Sequence, residues 1–188
     1  MSSEILRIVV TGGVGAGKTT FIRTISEIDV VDTDKRATDE LAELKEKTTV
    51  ALDFGKLTIT SNQSLHLYGT PGQERFDFMW DILIKKAHAY ILLVDAHRPN
   101  QFREARKLLN YMNQSASIPE LIGITHTDCA DAWEIEDIAL ALGFQDETNL
   151  PPIIAVNPNE RESVFQALIK IVEQLESSRE KQGVRERG

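Results

Sequence analysis

The sequence predicts an α/β protein with a mostly parallel sheet of about six strands, one antiparallel hairpin strand and helices on both faces. Two observations carry this prediction. Short apolar runs of strand length alternate with segments of helical periodicity, which is typical of parallel strands joined by crossover helices. One pair of runs is joined by a short polar turn, residues 61–64, and this turn indicates a hairpin.

The predicted strands are apolar runs at residues 5–10, 50–60, 65–68, 90–94, 121–125 and 153–156. Helices are predicted over residues 19–28 and 133–142, the second closed by Gly143 as its C-cap. Apolar stripes indicate two further helices, through Phe102, Ala105, Leu109 and Met112 and through Val164, Leu168, Ile171 and Leu175. Residues 29–47 are polar and charged, and we expect a long loop there.

Composition limits the classes of protein to consider. With 41% hydrophobic and 27% charged residues, the chain has the balance of a soluble globular domain. The net charge of −8 gives no sign of a nucleic-acid partner, and a lone cysteine, Cys129, excludes a disulfide framework. No signal peptide or lipidation motif is visible, so we expect a cytoplasmic protein without a direct membrane anchor. We expect one domain, residues 1–176, and a charged tail, residues 177–188, that frays.

A phosphate-binding pattern lies between a predicted strand and a predicted helix, where GGVGAGKT matches G-x-x-x-x-G-K-[ST]. Glycines let backbone N–H groups turn toward phosphate oxygens, and the following helix directs its positive end at the same anion. Lys18 is expected to reach the β and γ phosphates as a catalytic cation, and the Thr19 hydroxyl to ligate Mg²⁺. The candidate nucleotide-binding residues here are Gly13, Val14, Gly15, Ala16, Gly17, Lys18, Thr19 and Thr20. The alternative is a glycine-rich turn without a ligand.

A second motif, YGTPGQERF at residues 68–76, follows the second hairpin strand. Together with the phosphate loop it resembles the Ras-like small GTPase superfamily, where the segment reads D-T-A-G-Q-E. The T-P-G-Q form is most similar to the prokaryotic branch of gliding-motility and polarity GTPases. The resemblance implies a three-layer P-loop NTPase G domain. It also implies that the Gly72 N–H contacts the γ-phosphate and that Gln73 orients the attacking water, unless Gln73 is a solvated loop residue.

The metal-binding residues of that family are only partly matched. Gly69 stands where the family has an aspartate that steadies Mg²⁺ through a water, and Pro71 replaces a small residue. Either Asp53 or Asp95 could supply the missing carboxylate. The resemblance further implies that Thr49 closes over Mg²⁺, although a β-branched residue that begins a strand is the alternative.

Two side chains near the expected phosphates are each open to two interpretations. Val14 would crowd an incoming arginine or a water-positioning glutamine, or it packs against the loop that follows. Arg36 would stabilise charge in the transition state, or it is a solvated loop arginine.

The base-selecting segment of the superfamily, N/T-K-x-D, corresponds to THTD directly after a predicted strand. The Asp128 carboxylate can accept two hydrogen bonds from guanine N1–H and N2–H₂, and adenine offers no such pair. Thr125 is an allowed variant of the first residue. His126 replaces the lysine, and it either stacks on the base or is a partly exposed loop histidine. Val156 and Asn157, at the end of the last predicted strand, are the remaining base-contacting candidates.

The leading functional hypothesis is a small GTPase switch. It binds GTP or GDP with Mg²⁺, hydrolyses GTP slowly and signals through residues 29–49 and 72–86. The resemblance implies a GTPase-activating or effector partner, with a roadblock-fold protein as one candidate. A nucleotide-binding scaffold with little hydrolysis is an alternative, favoured by Gly69 and Val14. A P-loop ATPase or nucleotide kinase is another, and it would need adenine tolerance and, for a kinase, an arginine-rich lid.

Overall fold

The computed structural model describes residues 4–30, 52–70, 77–145 and 150–185 of the chain. Its strands are β1 (Glu4–Gly12), β2 (Asp53–Thr60), β3 (Gln63–Gly69), β4 (Ala89–Asp95), β5 (Glu120–Thr125) and β6 (Ile153–Ala155). Its helices are α1 (Lys18–Ile25), α2 (Asp77–Lys86), α3 (Phe102–Ser115), α4 (Ile135–Leu142) and α5 (Arg161–Arg185), with a 3₁₀ turn at Pro99–Gln101 before α3. None of the helices in these segments is both long and apolar enough to cross a membrane.

The strands form one six-stranded sheet in the order β2-β3-β1-β4-β5-β6. β2 and β3 pair antiparallel, and every other neighbouring pair is parallel. β2 and β3 lie on one side of β1, and β4, β5 and β6 lie on the other side. The direction in which the chain adds strands to the sheet therefore reverses at β1. Ligands of open α/β sheets bind in the crevice at such a reversal, beyond the carboxyl ends of the strands. The predicted fold class is confirmed.

Helices cover both faces of the sheet. On one face α1 and α5 pack through buried side chains such as Phe21 and Leu168. On the other face α2, α3 and α4 pack through side chains such as Leu109 and Ile138. The apolar stripes predicted for α3 and α5 are buried, and Gly143 closes α4 with a left-handed φ of 104°. The two helix layers hold the strand ends that build the site.

α1 ends at Ile25 and α4 begins at Ile135, so both are shorter than predicted. Two larger differences concern α2 and α5. Residues 77–86 form α2, whereas the sequence predicts them only as part of a signalling segment. α5 continues through Arg185, into the charged tail for which the sequence predicts fraying. Glu, Lys, Arg and Gln are good helix formers, and Arg179 pairs with Glu4 of β1 at 2.8 Å. The domain boundary at residue 176 stays a prediction.

Candidate nucleotide-binding site

The loop between β1 and α1 takes a conformation that requires glycine. Gly15 and Gly17 have φ values of 79° and 100°, in the left-handed region that side chains disfavour. A Cβ at Gly17 would lie 2.7 Å from Cγ of Pro158, so the loop also packs closely against the segment after β6. α1 begins at Lys18, directly after Gly17. The free N–H groups of its first turn and the positive end of its dipole therefore stabilise an anion held by the loop.

The Lys18 side chain is folded over this loop. Its ammonium donates hydrogen bonds to the backbone carbonyls of Gly12 at 2.8 Å and Gly13 at 2.7 Å. Only 8% of the residue is exposed. Burial lowers the pKa of Lys18 to about 8, and the nearby Asp53 carboxylate opposes that shift. A phosphate at the loop would stabilise this buried cation.

A cavity of about 450 Å³ opens between the loop and the segments that follow β5 and β6. From the loop and α1 it is lined by Gly15, Gly17, Lys18, Thr19 and Thr20. From the segments after β5 and β6 it is lined by residues that include His126, Asp128, Val156 and Asn157. The phosphate-binding pattern and the base-selecting segment, far apart in the sequence, therefore face one cavity of the size that small ligands occupy.

Of the predicted nucleotide-binding residues that the structure describes, four are not part of this lining: Gly13, Val14, Ala16 and Thr125. The buried Thr125 hydroxyl donates to the Ala16 carbonyl at 2.9 Å, so it ties β5 to the phosphate loop. Val14 is 53% exposed. These residues shape the loop from behind or beside the cavity.

His126 is held beside the cavity by the end of β4. Its φ of 58° is uncommon for a residue other than glycine. Its Nδ1 lies 3.0 Å from the Thr125 hydroxyl and 3.4 Å from a carboxylate oxygen of Asp95. Asp95 is buried, accepts a hydrogen bond from the His97 N–H at 2.9 Å and pairs with Arg98 at 3.3 Å. Asp95 therefore orients the loop that carries His126 and Asp128.

Arg98 and Gln101 brace the phosphate loop, and neither was predicted. Arg98 Nη1 and Gln101 Nε2 each donate to the Val14 carbonyl at 3.2 Å. A Cβ at Gly13 would lie 2.6 Å from Oε1 of Gln101, so the Gln101 side chain would have to move if residue 13 carried one. No motif marks these residues. The one signal that could have pointed to them is their position just after β4, at the same edge of the sheet as the loop.

The metal side of the site brings Thr19 and Asp53 together. The Thr19 hydroxyl donates a hydrogen bond to the Asp53 carboxylate. Both groups offer oxygen atoms, which Mg²⁺ prefers as ligands. Among the described residues no three His, Cys, Asp or Glu side chains form a metal-binding group, so a cation here would also need oxygens from a bound ligand. Outside the described residues lie the predicted site residues Thr49, Gly72 and Gln73, and also Arg36.

The fold and the site define the class of the protein. The sheet with one antiparallel pair, the glycine loop before α1 and the cavity at the strand reversal are those of the P-loop small GTPase fold. The chain is similar to the Arl6 (BBS3) small GTPase from Trypanosoma brucei, solved with the nucleotide analogue GppNp, with a TM-score of 0.70. The match covers 93% of this chain and 99% of that chain at 17% identity. At that identity the likeness shows the fold.

The chain belongs to the family described as "Conserved hypothetical ATP binding protein", whose model matches residues 28–182. The uncharacterized protein MJ1339 of Methanocaldococcus jannaschii is 31% identical over 134 residues, 70% of this chain and 76% of that protein. The Ras-related protein Rab-1C of Dictyostelium discoideum is 26% identical over 178 residues, 93% of this chain and 82% of that protein. Fold and family together indicate a nucleotide-binding protein. The narrower likeness to gliding-motility GTPases stays a prediction.

Proposed function

We propose that this protein is a small GTP-binding switch that binds GTP and GDP with Mg²⁺ and hydrolyses GTP slowly. The observation that carries this proposal is the cavity that the phosphate loop and Asp128 share. Asp128 is exposed, and no described residue donates a hydrogen bond to it. Its carboxylate is therefore available to a ligand whose phosphates lie on the loop.

Guanine suits the Asp128 carboxylate better than adenine does. Guanine N1–H and N2–H₂ are two neighbouring donors, and a carboxylate offers two acceptors with matching spacing. Adenine has an acceptor at N1 and only a C–H at C2, so it has no pair of neighbouring donors at this edge. An adenine nucleotide would displace water from the Asp128 carboxylate without replacing the hydrogen bonds that the water made. The free-energy cost of those lost hydrogen bonds favours guanine.

At the phosphate end of the proposed site, separate residues would serve binding and hydrolysis. The loop N–H groups and the Lys18 ammonium would hold the β and γ phosphates. The Thr19 hydroxyl and the Asp53 carboxylate fit Mg²⁺, which would neutralise phosphate charge, and Thr49 is the further proposed ligand. Gln73 would orient the attacking water, because its amide can donate and accept at once.

The γ-phosphate would control the segments at residues 29–49 and 72–86, which would present a surface to a GTPase-activating or effector protein. A roadblock-fold protein is one candidate for that partner. Because residues 77–86 are already helical in α2, we expect this part of the second segment to shift as a helix when GTP replaces GDP.

Exchange of Asp128 for asparagine tests the choice of base. An amide accepts one hydrogen bond and donates one, so it suits xanthine, whose C2 carbonyl replaces the amino group of guanine. We expect Asp128→Asn to bind GDP about 100-fold more weakly and to gain affinity for XDP. Displacement of a fluorescent GDP analogue measures both affinities.

The matched control for this exchange is Asp131→Asn. Asp131 is an exposed aspartate on the same loop that does not line the cavity. This variant should keep the wild-type preference for GDP. Unchanged GDP affinity in Asp128→Asn would contradict guanine recognition by Asp128.

Hydrolysis is tested by Gln73→Ala. We expect phosphate release from GTP to slow by about tenfold or more, because the attacking water loses its positioning group. Gln63→Ala is the matched control, since the Gln63 amide bonds to Glu4 at 3.0 Å at the far end of β3. Equal rates in Gln73→Ala and the wild type would favour the alternative of a nucleotide-binding scaffold with little hydrolysis.

ATP binding is the second candidate function, because the family description names ATP. The phosphate loop would serve ATP equally well, so the two candidates differ only at the base. An ATP-binding site predicts that ADP binds at least as tightly as GDP and that Asp128→Asn has little effect on either.

A further inference from the structure

The last residue of β3 is a glycine, and the residue that pairs with it on the neighbouring strand β2 carries a carboxylate. Gly69 ends β3, and Asp53 is its antiparallel partner on β2. A Cβ at Gly69 would lie 2.9 Å from Cβ of Asp53 and 2.8 Å from Cδ1 of Ile22. Both distances are shorter than real Cβ contacts, so the space beside α1 holds one side chain. Asp53 occupies that space. The Asp53 side chain fits there only because residue 69 is glycine.

The Asp53 carboxylate faces the phosphate loop. It accepts a hydrogen bond from the Thr19 hydroxyl, and its charge opposes the effect of burial on the pKa of Lys18. Both partners belong to the first turn of α1. The Thr19 hydroxyl can donate its hydrogen to Asp53 and still offer an oxygen lone pair to a cation.

Asp95 is the second carboxylate considered for the metal, and its partners are different. Its side chain is 1% exposed and lies within 3.4 Å of His126 and 3.3 Å of Arg98. It also accepts the His97 N–H at 2.9 Å. Because all these contacts belong to the loops after β4 and β5, Asp95 would lose them if it turned toward Thr19.

We propose that Asp53, together with the Thr19 hydroxyl, is the protein carboxylate of a Mg²⁺ site, and that its position on β2 is made possible by Gly69. The inference rests on the proposed nucleotide binding. An anion beside the phosphates repels them unless a cation lies between them. Asp53 therefore weakens nucleotide binding when metal is absent and strengthens it when metal is present.

The test is the GDP affinity of the wild type and of Asp53→Asn, measured once with Mg²⁺ and once with EDTA. With Mg²⁺ we expect the variant to bind GDP about 10- to 100-fold more weakly than the wild type. With EDTA we expect it to bind GDP as tightly as the wild type or more tightly, because the repulsion is gone. Electron paramagnetic resonance of Mn²⁺ in the GDP complex should show weaker metal binding in the variant.

Two further variants separate this effect from general damage. Glu27→Gln removes a carboxylate that accepts the Thr58 N–H at 3.1 Å near the other end of β2, and it should behave as the wild type. Gly69→Asp alone should lower the thermal stability, because its Cβ would collide with Asp53. The double variant Asp53→Gly with Gly69→Asp removes that collision and should recover the metal dependence that Asp53→Asn loses.

The possible outcomes separate this inference from the proposed function. If Asp53→Asn keeps the wild-type ratio of GDP affinities in Mg²⁺ and EDTA and keeps wild-type Mn²⁺ binding, the assignment of Asp53 is overturned while the nucleotide site stands. If the wild type binds no GDP under either condition, the proposed function itself fails.

Discussion

In the proposed function, the ionisation of Lys18 would link phosphate binding to pH. Burial in the loop lowers the pKa of this lysine to about 8, and a bound phosphate stabilises its protonated form. Below that pKa the free protein already carries the charge that the phosphate needs. Above it, binding has to take up a proton, so affinity falls as the pH rises.

We therefore expect GDP affinity to change little below about pH 8 and to fall by up to about tenfold per pH unit above it. Calorimetric titration in two buffers of different ionisation enthalpy measures both the affinity and the proton uptake. Asp131→Asn should show the same fall, since Asp131 is exposed and lies outside the cavity lining. Binding without proton uptake at about pH 9 would contradict a lowered pKa of Lys18.

At the scale of single elements, α5 shows how an amphipathic helix supports the site from a distance. Its buried stripe packs with α1 on one face of the sheet. α1 carries Lys18 and Thr19, so the position of the phosphate loop depends on this helix layer. Neighbouring residues of α5 differ sharply in burial: Leu168 is 2% exposed and Ile169 is 37% exposed.

We expect Leu168→Ala to lower the free energy of unfolding by about 2–5 kcal/mol, because it leaves a cavity in the core. Ile169→Ala, the matched control on the same helix, should lower it by less than about 1 kcal/mol. Urea unfolding followed by circular dichroism measures both. Equal losses for the two variants would contradict the burial pattern of α5.

Most elements could be predicted because each has a local signal. β4 is buried along its whole length, and such a continuous apolar run is typical of a central parallel strand. The stripes of α3 and α5 repeat at the helical period. α2 has a weaker local signal, because its buried pair Leu83 and Ile84 is too short to show a helical period.

At the scale of the whole molecule, the sheet order decides what could be predicted about the site. Each of the two nucleotide motifs is a contiguous segment, and both follow parallel strands whose carboxyl ends share one edge. Their meeting at one cavity follows from that arrangement. The bracing of Val14 by Arg98 and Gln101 joins residues distant in sequence, as does the contact of Thr19 with Asp53. No local pattern contains such contacts, because they depend on how the strands are ordered.

The most direct test of guanine-nucleotide binding at this edge of the sheet is calorimetric titration of the purified protein with GDP and with ADP at equal Mg²⁺. We predict one nucleotide site per chain, with GDP bound at least about 100-fold more tightly than ADP, because the Asp128 carboxylate finds its two donors only on guanine. ADP affinity equal to or greater than that of GDP, or no binding of either, would contradict this account.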